Sequence, residues 1–108
     1  MFDMMGKVKE VQTRIKQAKE NLVNISHSAD AGAGMVKVTV NGLKQVLNIE
    51  IDTDLVKPED KQILIDLITA ATNKAMAGVD EIIKVEMKKA TDGVLPNIPG
   101  LDLFNGIL

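Results

Sequence analysis

Five bases near the start of the chain, Lys7, Lys9, Arg14, Lys16 and Lys19, are its residues best suited to act on a partner. Fixed positive charges neutralise phosphates and release the counterions held there. On a helix with Val8 at heptad position a, Lys7 and Arg14 take g, Lys9 and Lys16 take b, and Lys19 takes e, while Glu10 and Glu20 take c and f. Bases then flank an apolar seam on both sides, an arrangement that can follow a phosphate backbone. The same residues also fit a solvated helix face on which Glu10 pairs with Arg14 and Lys16 with Glu20 at i,i+4 spacing. Lys84, Lys88 and Lys89 form a second cluster near the end of a later helix, where cations also complement the helix dipole.

Other chemistry is hard to build from these residues. His27 sits between Ser26 and Ser28, and neighbours on a strand point to opposite faces, so the three cannot pair as nucleophile and base. Gly32-Ala33-Gly34 has neither a third glycine at dinucleotide spacing nor a Gly-Lys-Ser or Gly-Lys-Thr sequence, and reads as a loop. Asp52-Thr53-Asp54 opens like a calcium loop. Lys57 then stands where that loop needs glycine, and Ile63 where it needs a bidentate glutamate. With no Cys there is no thiolate nucleophile, disulfide or zinc-thiolate site. The chain is therefore expected to have no enzymatic activity, metal, cofactor or small-molecule substrate.

Composition narrows the partner. Aromatic residues make up 2% of the 108, too few for a base-stacking platform, so a single-stranded nucleic acid is a poor fit. The net charge is −2, which requires any nucleic-acid contact to be local. The longest uncharged runs, residues 21–29 and 93–101, are far shorter than the roughly 20 residues of a membrane span, and a soluble cytoplasmic protein is expected.

The elements that must carry these bases follow from periodicity. Met1, Met4, Val8, Val11, Ile15, Ala18, Leu22 and Ile25 are spaced alternately three and four apart, which predicts a helix with a narrow a/d seam. Val8, Val11, Ile15 and Leu22 are its candidate packing residues, either against a second helix of the same chain or against another copy. Alternation then predicts strands over Met35–Val40 and Leu43–Ile51, with Asn41-Gly42 as a two-residue type I′ turn pairing Val40 with Leu43 and Val36 with Leu47. Residues 24–29 supply a third strand. Pro58, Glu59 and Asp60 open a second helix and Gly93 with Pro96 closes it, about 35 residues later by the start and stop signals. Such a helix overhangs a three-stranded sheet and calls for a partner. Its Ile63–Ala71 stretch is apolar round much of its circumference, which predicts burial on several sides. Gly78 predicts a bend or a close contact.

Residues 32–42, Gly-Ala-Gly-Met-Val-Lys-Val-Thr-Val-Asn-Gly, followed by Val46-Leu47-Asn48-Ile49-Glu50-Ile51-Asp52, Leu55, Leu64, Asp66-Leu67, Ala70-Ala71 and Asn73-Lys74-Ala75, resemble the YbaB/EbfC family of bacterial nucleoid-associated proteins. Leu95-Pro96-Asn97-Ile98-Pro99-Gly100-Leu101 is similar to that family's ending. The resemblance implies an α+β subunit of order α-β-β-β-α with a three-stranded antiparallel sheet and two long helices. It further implies a tweezer-like homodimer whose helices reach toward double-stranded DNA, and a role in nucleoid organisation or gene expression. The expected organisation is one domain over residues 1–92 and an apolar tail rich in Pro and Gly over 93–108. The expected DNA contacts are Lys7, Lys9, Arg14, Lys16, Lys19, Lys84, Lys88 and Lys89. A protein-interaction or scaffolding module, binding through its seam or tail, is the alternative.

Overall fold

The computed structural model describes residues 4–91; the 93–108 tail lies outside them. Helix α1 (Met4–Asn21) is followed by a 3-10 turn (Leu22–Asn24) and three strands, β1 (Ser26–Ala31), β2 (Val36–Asn41) and β3 (Val46–Ile51). Two 3-10 turns, Thr53–Leu55 and Pro58–Asp60, lead into helix α2 (Lys61–Thr91). The strands form one antiparallel sheet in the order β1-β2-β3, so this is an α+β fold of α-β-β-β-α order.

Alternation in the strands decides which face is covered. Val36, Val38 and Val40 of the central strand are fully buried, each stabilising the fold by roughly 1.5–3 kcal/mol relative to exposure. Across from them in β1 lie Ala31, Ala29 and His27, and helix α2 packs over β1 and β2. Small residues in β1 let that helix approach. Ser26, Ser28 and Asp30 point to the other face, where the Ser28 and Thr39 hydroxyls are 2.6 Å apart.

The second hairpin departs from the predicted two-residue turn. Its loop is Gly42-Leu43-Lys44, closed by the Asn41 N–H donating to the Gln45 carbonyl at 3.0 Å and the Lys44 N–H donating to the Asn41 carbonyl at 2.9 Å. Positive φ falls on Lys44 (61°), the position that ends a three-residue hairpin loop, and Gly42 is not among the positive-φ residues. Two forces override the Asn-Gly signal. The buried Asn41 side chain accepts from the N–H groups of Leu43 and Gln45 and donates to the Gln45 side chain, which fixes the longer loop. Gly42 is needed because its N–H donates to both the Leu22 and the Ile25 carbonyls, and a Cβ there would collide with the Leu22 backbone. The register shifts accordingly: Val36 pairs with Ile51, Val38 with Ile49 and Val40 with Val46, leaving Leu47 as the extra residue of a β-bulge. Val46 thus lies on the inner face, paired with Val40, and Leu43 is a half-exposed loop residue.

Helix α2 is 31 residues long, about 46 Å at 1.5 Å per residue, and Pro58 opens a 3-10 turn ahead of it. Its buried positions step by four from Ala71 through Ala75, Val79, Ile83 and Met87 to Thr91. Gly78 marks a close contact, because the His27 ring occupies the space its Cβ would need. The opening of α2 differs from expectation. Ile63 (52%) and Ile65 (44%) are exposed and Leu64, Leu67 and Ile68 only half-buried, since the chain supplies no element to cover them.

Candidate nucleic-acid interface

Two elements make an arm. Leu22 sits beside Gly42, and two residues beyond Gly42, Lys44 donates to Asp80 of α2 at 2.7 Å. From that shared level α1 runs back toward its N-terminus and α2 forward toward its C-terminus, so the two helices are antiparallel and leave the sheet together. The α1 seam closes inside the chain: Val11 and Leu22 are buried, Ile15 and Ala18 half-buried, and α1 packs on α2. Of the two partners the sequence left open for this seam, the structure places α2 of the same chain there. Val8, at 55% exposure, remains outside that packing. The radius of gyration, 19.0 Å, far exceeds the about 13 Å of a compact chain of 100 residues, as projecting helices require.

All eight candidate bases are exposed on this arm. Arg14 is held by Glu10 at 3.0 Å, whereas the expected Lys16–Glu20 pair is not formed. Lys84 lies 3.6 Å from Glu81, and Lys89 lies 3.6 Å from Glu86. Lys7, Lys9, Lys16, Lys19 and Lys88 form no ion pair among the described residues. Exposed pairs at i,i+3 or i,i+4 contribute about 0.5 kcal/mol or less and give way readily to a polyanion.

A second surface went unread in the sequence. The inner face of β3 is left open by α2, with Val46 at 45% and Ile49 at 42% exposure, while the start of α2 exposes Ile63 and Ile65 on opposite sides of that helix. The signals were present in the apolar alternation of residues 43–51 and in the apolar circumference of Ile63–Ala71. Lys44 also escaped notice, since its role depends on a loop one residue longer than the one predicted. Among the described residues there is no cluster of metal-ligating side chains, and no helix is long and apolar enough to cross a membrane.

Comparison with known proteins places this architecture. A nucleoid-associated protein of Alkaliphilus metalliredigens is 43% identical over 101 residues, covering 94% of this chain and 87% of its own. One from Thermoanaerobacter pseudethanolicus is 41% identical over 99 residues, covering 92% and 87%. The crystal structure of an uncharacterized Helicobacter pylori protein superposes with a TM-score of 0.61 at 28% identity, over 72% of this chain and 90% of that one. The family model described as the YbaB/EbfC DNA-binding family, which is not an enzyme family, matches residues 1–94, and this chain belongs to that family.

Proposed function

We propose that the protein binds double-stranded DNA as a homodimer, chiefly through phosphate contacts, and acts in the cytoplasm at the nucleoid, where it organises DNA and thereby affects gene expression. The observation that carries this reading is the arm itself: two antiparallel helices packed along an apolar seam from Val11 to Leu22, whose exposed surface bears the bases. Its chemistry is electrostatic. Arginine, asparagine and glutamine are the usual bidentate readers of bases, and the arm is dominated by lysine, a point charge suited to phosphate. Family membership and the printed names of the relatives support DNA as the polyanion.

Dimerisation is assigned to the other end. Val46 and Ile49 form the apolar strand face that a single chain leaves half-open, and a two-fold contact would use each of them twice. Joining two chains there leaves both arms outside the interface. Size-exclusion chromatography with light scattering tests the assembly, and titration of a fluorescent duplex at 50 mM salt tests the ligand. A dimer that binds the duplex is expected. A compact monomer removes the assembly, and a dimer that ignores DNA while retaining a protein partner supports the scaffolding alternative.

A further inference from the structure

The two sides of the arm are electrically unequal. A helix turns about 100° per residue, so side chains can be placed around each axis relative to the packed seam. On α1, taking the line through Val11, Ile15, Ala18 and Leu22 as zero, Lys19, Lys16 and Lys9 lie about 70°, 130° and 150° round in one sense. Lys7 and Arg14 lie about 50° and 70° round in the other, with Glu10 beside them. On α2, relative to the line through Ile83 and Met87, Lys84 and Lys88 lie about 80° and 120° in the first sense, while Glu86 and Lys89 lie about 80° and 140° in the second. In an antiparallel pair packed seam to seam, the same sense of rotation on both helices leads to the same face.

Pairing sharpens the contrast. On the first face the acids Asp80 and Glu81 are matched by Lys44 and Lys84. Glu20, about 170° round α1 beside Lys9 and Lys16, is the one acid there with no ion pair among the described residues, against the unpaired bases Lys9, Lys16, Lys19 and Lys88. On the second face Glu10 holds Arg14 and Glu86 faces Lys89. We infer that the duplex lies against one face of the arm only, on Lys9, Lys16, Lys19, Lys84 and Lys88, and that Lys7, Arg14 and Lys89 face away from it. This assignment rests on the DNA-binding reading above and goes beyond it by dividing the eight bases into a contacting set and a non-contacting set. The physical reason is net charge: with Lys44 beside Asp80, the first face sets six bases against Asp80, Glu81 and Glu20, whereas the second sets three bases against Glu10 and Glu86.

Two variants with equal charge change test the division. K9Q/K16Q/K19Q removes three bases from the proposed face, and K7Q/R14Q/K89Q removes three from the other. Glutamine keeps helix propensity close to that of lysine and arginine, and circular dichroism with thermal melting confirms that each variant folds. Duplex binding is then measured from 50 to 300 mM salt. The first variant is expected to bind at least about a hundredfold more weakly at 0.1 M salt, with the slope of log K against log salt reduced by about 5.4 for six lost phosphate contacts, three on each arm of the dimer. The second is expected to stay within about threefold of the unaltered protein, with its slope unchanged, as absence of direct phosphate contact requires. Equal losses in the two variants, or a larger loss in the second, overturn the division while leaving DNA binding intact. An unaltered dimer that fails to bind at 50 mM salt overturns the DNA-binding reading and this assignment together.

Discussion

The sheet end and the arm solve the same packing problem in opposite ways. At the arm, two helices meet along one seam, so that Val11, Leu22, Ile83 and Met87 are buried inside a single chain and the outer surface is free to carry charge. At the sheet end, α2 covers β1 and β2 and stops short of β3, so Val46 and Ile49 stay half-open. A closed seam with bases outside suits a polyanion. An open apolar face suits another protein surface of the same kind.

The sharpest way to break this division is at the joint between the two ends. Gly42→Ala drives a methyl group into the Leu22 backbone, which cannot swing aside as a side chain can, and strains both hydrogen bonds of the Gly42 N–H. A loss of about 3 kcal/mol in urea unfolding is expected, at the upper end of ordinary single substitutions. By contrast, the atoms nearest a Cβ at Gly78 belong to the His27 side chain, which can turn aside where the Leu22 backbone cannot, and alanine gains about 1 kcal/mol of helix propensity, so the net change for Gly78→Ala should be smaller.

Next in size is a charge placed on each end in turn. Ile49→Lys on the open sheet face should weaken dimerisation by about a hundredfold, since two buried lysines per interface would lack partners. Val8→Lys on the arm should leave the dimer intact. Light scattering across a dilution series separates the two, and a monomer produced by Val8→Lys would move the interface to the arm. The smallest effect belongs to Asp80→Asn. It removes the carboxylate that Lys44 contacts, and because both partners are exposed a loss of about 0.5 kcal/mol is expected in the same urea assay.

Local rules made much of this fold legible. Alternation located β2, the three-four spacing located α1, and Pro58 located the entry to α2. The hairpin register was not legible from Asn41-Gly42, because the requirement at Gly42 is tertiary: it concerns the backbone of Leu22, twenty positions earlier. Heptad positions identified the arm bases, yet their unequal pairing could not be read there. Glu10–Arg14 and Lys16–Glu20 have the same spacing, and only the first forms a pair, with the base C-terminal to the acid, the orientation that the helix dipole favours. The open face of β3 was hidden for a related reason, since apolar alternation does not tell a covered strand from one awaiting a partner.

The central claim is that the arms bind duplex DNA by neutralising phosphates. Its most direct test is the salt dependence of duplex affinity for the unaltered dimer. A straight line of log K against log salt is predicted, with a slope of about −0.9 for each phosphate contacted and several contacts per dimer. An affinity that does not change with salt, or no binding at 50 mM, would contradict it.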